Sequence, residues 1–228
     1  MQKEFERRIQ LISPDLIIDA KPSSDLIFSI LNEAQKRYVM QNYVGDDQMV
    51  AETNTHTKNT DSIKSLLVEK KITASSTTEN GNARFLLPTG STEKYFLYVH
   101  SMSTVTGTYK QYSTETKVNN QLIKYRDLPK FMQTAYNTPI VRTPAVALVS
   151  DAQTKQLYLE VAVDKYTNLK NIILTYYREP VEFNTISNTN QCELPESVHD
   201  EIVNLAVNMF ITEGKYRLQA KQPEQKEQ

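Results

Sequence analysis

Leu26-Ile27-Phe28-Ser29-Ile30-Leu31-Asn32-Glu33-Ala34-Gln35-Lys36-Arg37-Tyr38-Val39 is the stretch on which the fold turns. Ile27, Leu31, Ala34 and Tyr38 follow one another at steps of four, three and four, which is one face of a helix. Asn32, Lys36 and Arg37 lie off that stripe. Pro22-Ser23-Ser24-Asp25 supplies an N-cap signal, and Gly45-Asp46-Asp47 a stop, so the helix should run to about Tyr43. Such a rod is roughly 27 Å long. Burying Ile27 or Leu31 is worth about 1.5–3 kcal/mol each, so this one face can anchor a domain.

Its counterpart stands near the other end of the chain. Glu193-Leu194-Pro195-Glu196 places a proline at the first turn, where its missing N–H does no harm. Val198, Ile202, Leu205 and Met209 then form an apolar stripe, broadened by Ala206 and Phe210. Glu196, Asp200 and Glu201 suit the positive end of the helix dipole, and Lys215 and Arg217 the negative end. Gly214 either ends this helix or weakens it. A shorter helix is expected upstream, with Phe5, Ile9 and Ile12 at near-helical spacing and Ser13-Pro14 ending it.

Between these helices the chain turns to β character. Ala51 to Thr60 is rich in Thr and Asn and reads as a loop. Ser65 to Thr77, Ala83 to Leu87 and Tyr95 to Thr106 are short apolar or β-branched runs, separated by turn signals at Glu79-Asn80-Gly81-Asn82 and Pro88-Thr89-Gly90. Pro129 to Tyr136 reads as a short helix and Asn137 to Pro144 as an extended segment. Ala145 to Val149 and Leu157 to Val163 form a hairpin around Asp151 to Lys155, with Leu157, Leu159, Val161 and Val163 on one face. A third strand follows from Ile172 to Tyr177. The expected class is α+β: two long helices, from the N- and C-terminal parts, packed as an α-helical body, with a β-rich middle of antiparallel hairpins. The expected divisions are 1–45 for the N-terminal helices, 46–128 for a β-rich insertion and 129–220 for a hairpin and long helix completing the body. The polar stretch 221–228 is expected to be a disordered tail.

Composition narrows the chemistry. The 228 residues carry 26 Lys and Arg against 27 Asp and Glu, so there is no basic excess of the kind that grips phosphates. No apolar run approaches the roughly 18–20 residues that span a bilayer, and the charged residues after Met1 give no secretory signal. The protein is therefore expected to act in the compartment where it is made, or in an assembly built there. One cysteine, Cys192, excludes a disulfide or an all-cysteine zinc site within one chain. Its neighbour Glu193 disfavours the thiolate that a nucleophile needs. The three histidines fall in a polar loop (His56), a strand (His100) and the last helix (His199). His199-Asp200-Glu201 are contiguous, so they point apart on a helix, and the position four beyond His199 is Val203. No Gly-x-Ser-x-Gly elbow, Gly-Lys-Ser/Thr loop or Gly-rich dinucleotide turn occurs. No catalytic, cofactor or metal residue is assigned, and no enzyme activity is expected. The 13 tyrosines suit contact surfaces or strands equally. The best basic clusters are Lys36 and Arg37, and Lys215, Arg217 and Lys221. They read as solvated helix faces, or, repeated around a ring, as a positive channel lining or partner contact.

The helix Leu26 to Val39 resembles the opening helix of head–tail ring proteins of crAss-like phages, themselves similar to the tail adaptors of short-tailed phages. Asn137-Thr138-Pro139-Ile140-Val141-Arg142-Thr143-Pro144 is similar to that family as well. So is the close of the chain: Tyr176-Tyr177-Arg178-Glu179-Pro180-Val181-Glu182-Phe183, then Glu193 to Glu196 leading into Val198 to Val207. The order of a strand ending in Arg-x-Pro, a short loop and a terminal helix carries the likeness, which covers Phe5 to Tyr43 and Asn137 to Arg217. Asp46 to Leu128 stands outside it, as a β insertion. The resemblance implies a structural virion protein, a homo-oligomeric and expectedly twelve-fold ring below the portal. DNA would pass through its lumen unread. Its implied partners are its own copies, the portal protein and adjacent tail or ring proteins, with no membrane and no cofactor. Assembly would take place in the host cytoplasm. Helix packing would rest on Ile27, Leu31, Ala34, Tyr38, Val198, Ile202, Leu205 and Met209. The competing readings are another virion component, such as a tail hub, capsid-decorating or fibre-attachment protein, or a phage enzyme with a dispersed site.

Overall fold

The computed structural model describes residues 1–12, 22–43, 56–78, 81–107, 114–129, 143–163, 167–184 and 192–220, with backbone alone at 56–59 and 213–220. Two compact units emerge: Met1–Leu66 with Glu179–Gln228, and Leu67–Arg178. The α+β class is as expected, with helices in the first unit and strands in the second.

The first unit holds α1 (Gln2–Ile12), α2 (Ser24–Asn42), α3 (His56–Ile63) and α4 (His199–Ala220). Short 3-10 turns at Lys64–Leu66 and Glu196–Val198 follow α3 and precede α4. Ser23 caps α2, its hydroxyl accepting the Leu26 N–H at 3.3 Å, which satisfies one of the donors that a helix start leaves open. Ile27, Ile30, Leu31, Ala34, Tyr38 and Val39 of α2 are buried. The helix lies alongside α4, which buries Ile202, Val203, Ala206 and Val207. On α1, Phe5 and Ile9 are fully buried, and the Phe5 ring meets Phe210 edge-on at 5.9 Å. Arg8 ties α1 to the start of α4, donating to the Asp200 carboxylate at 2.8 Å, to the Asp200 carbonyl and to the Asn204 side chain.

Three expectations change here. The buried face of α4 is rotated from the expected stripe towards Val203 and Val207, leaving Leu205 and Met209 only partly buried. Apolar residues at 202, 203, 205, 206, 207, 209 and 210 nearly encircle this helix, so spacing alone does not choose the face. Ile12 is not a core residue: it is 61% exposed, and Leu11 beside it 73%. His56 to Thr60 is helical, not loop. Tertiary contact overrides weak propensity there, because Ile63 and Leu66 are fully buried and the Tyr38 hydroxyl donates to Ser62 at 3.1 Å. α4 continues through Gly214.

The second unit is a β-sandwich. One sheet has the order β1–β9–β4–β5, from β1 (Leu67–Thr73), β4 (Tyr95–Gly107), β5 (Thr116–Asn119) and β9 (Thr167–Arg178). The other has the order β2–β3–β8–β7–β6, from β2 (Ser76–Thr77), β3 (Ala83–Leu86), β6 (Gln121–Leu122), β7 (Ala145–Ser150) and β8 (Leu157–Ala162). Pairings are antiparallel except β6 with β7. Tyr98, Ile172, Leu174 and Tyr176 of the first sheet share one core with Phe85, Val146, Leu159 and Val161 of the second. The chain changes sheet at Asn120. Its amide donates to the Ser101 hydroxyl at 2.8 Å and accepts from the Ser103 hydroxyl at 2.6 Å, and all three residues are buried. On the outer face of the second sheet, Leu128 packs over Ala145, Ala147 and Ala162. Glu160 is buried on that sheet and paired with Arg84 and Asn82.

The expected hairpin is present as β7 and β8, but with β9 it belongs to the sandwich and does not complete the helical body. The helical unit runs to Leu66, past the expected end at 45, and resumes at Glu179. β9 pairs with β1 and β4, not with the hairpin, and such long-range pairing leaves no local signature. Leu159 and Val161 of β8 face the core and Val163, just beyond the strand, packs against it partly buried, whereas Leu157 is 45% exposed. Most of the segment expected as a helix from Pro129 to Tyr136, the stretch Asn137 to Arg142, and the tail 221–228 lie outside the described residues.

Candidate interaction site

In the helical unit, the returning segment Glu179–Asn184 is fastened to α2 by side chains that the apolar stripe leaves out. The Asn32 amide donates to the Phe183 carbonyl at 3.0 Å and accepts the Phe183 N–H at 2.7 Å, so one side chain satisfies both backbone groups of a residue outside any ladder. Lys36 Nζ lies 2.6 Å from Glu179 and 2.7 Å from Glu182. The Glu193 carboxylate accepts the Val181 N–H at 3.0 Å. Burial works against the Lys36 ammonium, but the two carboxylates prevail and hold its pKa above the ordinary lysine value.

These contacts frame two hollows. A cavity of about 440 Å³ is lined by Met1, Gln2, Phe28, Leu31, Phe183, Cys192, Leu194, Glu196 and His199. A second hollow of about 570 Å³ shares Phe28 and Phe183 with it and adds Asp25, Ser29, Asn32, Glu33, Lys36, Glu182 and Asn184. Apolar and polar side chains share the lining of the first, whereas three carboxylates and one ammonium stand in the second.

Cys192, Glu196 and His199 converge on the first cavity, a grouping that sequence reading did not foresee. Burial pushes the Cys192 thiol up, and the Glu193 charge adds to this; a backbone hydrogen bond at Leu194 opposes both. A thiol so placed stays protonated near neutral pH and is a weak nucleophile. His199 Nε2 lies 3.0 Å from the Leu194 carbonyl, which can only accept, so this nitrogen carries the proton in that bond. Among the described residues, no group of three His, Cys, Asp or Glu side chains could hold a metal ion. The cavity is a mixed recess, in which Phe28, Leu31, Phe183 and Leu194 stand beside Gln2, Cys192, Glu196 and His199.

The expected site residues fall into three groups. Ile27, Ala34, Tyr38, Val198 and Ile202 are core, and Leu31 is both core and cavity wall. Of the expected channel cations, Lys36 is held by Glu179 and Glu182, and Arg37 by Glu33 at 2.6 Å. Lys215 and Arg217 lie on the described backbone of α4, while Lys221 lies outside the described residues. Phe28, Asn32, Phe183 and Leu194 were not foreseen. An aromatic residue standing off the stripe, Phe28, was the one signal available. Among the described residues no helix is long and apolar enough to cross a membrane. No family model matches the chain, and no curated protein does.

Proposed function

We propose that the protein is a structural subunit of a homo-oligomeric ring in a tailed phage, seated below the portal and joining head to tail. One observation carries the reading: helices from the two ends of the chain pack together, with the β unit inserted between them in sequence. That is the element order on which the resemblance rests, closing with a strand that ends at Arg178, a short segment and a terminal helix. In this reading the ring extends the portal channel, twelve copies surround the DNA without reading its sequence, and adjacent tail proteins dock on its lower face. Lys36 is paired with Glu179 and Glu182, so it would add little net positive charge to a lumen.

Labelled antibodies against the protein, applied to intact particles of the source phage, test the placement by electron microscopy. Label at the neck between head and tail is expected. Label over the capsid shell or along the fibres would favour the other virion roles and remove this one.

A further inference from the structure

We infer that two copies of this chain pair edge to edge through β1, antiparallel and two-fold, with Lys70 of one copy against Lys70 of the other. β1 ends the sheet β1–β9–β4–β5, with β9 on one side and no strand of the described residues on the other. Alternate residues of such an edge turn their N–H and C=O outward, which makes a template for another strand. The remaining edges are short: β2 and β6 have two residues each and β5 has four. β1 has seven, in unbroken register with β9 from Leu67 opposite Tyr177 to Thr73 opposite Asn171. Neither a proline nor a bulge interrupts it, so its charges alone decide what may pair with it.

Those charges select the strand's own reverse. Val68 and Ile72 pack partly buried against the sandwich core, with Lys70 between them on that face. Leu67, Glu69, Lys71 and Thr73 alternate with them and are exposed. Glu69 and Lys71 form no ion pair among the described residues. A two-fold axis perpendicular to the sheet keeps the faces of both copies aligned, so one residue must meet its own copy. With Lys70 in that place, Glu69 of each copy faces Lys71 of the other, Val68 faces Ile72, and all seven residues are paired. One residue either way, Glu69 meets Glu69 or Lys71 meets Lys71, and the opposite charges part. Lys70 does not bar the central position, because each copy holds its ammonium on Glu93 at 2.5 Å. The contact is isologous and stops at two copies, so it goes beyond the ring reading: it would join two rings face to face and leave ring closure to other surfaces.

Disulfide trapping in the full-length chain reads the contact. Cys192→Ser removes the native thiol, and Lys70→Cys places one at the centre of the pairing. A glutathione redox buffer should then link two copies, because directly opposed residues of an antiparallel pair stand about 4.5–5.5 Å apart at Cα. Glu69→Cys in the same background should link far less, since its own copy lies diagonally, about 7–8 Å away. Added to the Lys70→Cys chain, Glu69→Lys alone or Lys71→Glu alone sets like charges in both cross-strand positions and should cut the yield about tenfold. Glu69→Lys together with Lys71→Glu rebuilds both pairs and should restore the yield. All three positions are exposed, so each variant should fold, as circular dichroism can check. No link at position 70, equal linking at position 69, single reversals without effect, or a double reversal without recovery would each overturn the two-fold pairing. The ring reading is decided separately, by label at the neck.

Discussion

Gln35 lies on α2 at 1% exposure, and neither its amide nitrogen nor its amide oxygen has a hydrogen-bond partner. A buried amide left unpaired costs about 1–3 kcal/mol, so Gln35→Leu should stabilise the helical unit by an amount in that range. Urea unfolding of the two chains measures it, and a lower midpoint for the variant would mean that the amide serves a purpose beyond packing. In the β unit, the Asp151 carboxylate is held below its usual range by the Thr154 and Gln153 N–H groups, which it accepts at 2.8 and 2.9 Å. A depressed carboxylate stabilises above its unfolded value of about 3.9 and loses that contribution as pH falls through the folded value. Asp151→Ala should therefore weaken the β7–β8 hairpin at neutral pH and flatten the acid limb of an unfolding titration. Lys36 has the opposite sign. Its raised pKa stabilises below about 10.4 and the effect fades as pH rises through the folded value, so Lys36→Met should remove an alkaline transition in which Glu179–Asn184 leaves α2. Lys155 adopts φ of 54°, a region that costs an L side chain about 1–2 kcal/mol. Lys155→Gly should recover part of this, seen as a higher melting temperature.

At the scale of elements, α4 separates two positions that the apolar stripe treats alike. Ile202 is fully buried and Leu205 only partly. Ile202→Asp should cost more than about 3 kcal/mol and unfold the helical unit, whereas Leu205→Asp should cost far less, as circular dichroism melts can show. Equal losses would contradict the observed face. Asn120→Ala should cost about 1–3 kcal/mol, because it strips Ser103 of its partner at the corner where the chain changes sheet. The existence of these elements was legible beforehand: a cap within Pro22–Asp25, the α2 stripe, the hairpin around Asp151 and the strand at Tyr95 all stand as read. Three features were not legible. The face of α4 has apolar residues almost all round. The helix at His56 leads into Ile63 and Leu66, whose burial no local pattern announces. β9 joins a sheet whose other members lie far off in sequence. The candidate site was less legible still, because Asn32 and Lys36 look like solvated surface until Glu179–Asn184 returns to them.

For the whole molecule, the sandwich owns its core and its ladders, so the fragment Leu67–Arg178 should fold alone, with dispersed amide resonances and a cooperative melt. The helical unit combines both ends of the chain, so no contiguous fragment can reproduce it. The most direct test is the native mass of the purified full-length chain across a range of concentrations, with particle images of the same sample. Closed rings of one size, twelve copies in the proposed arrangement, are the predicted result. A single protomer mass persisting to the highest concentration, with no closed particle in the images, would contradict it.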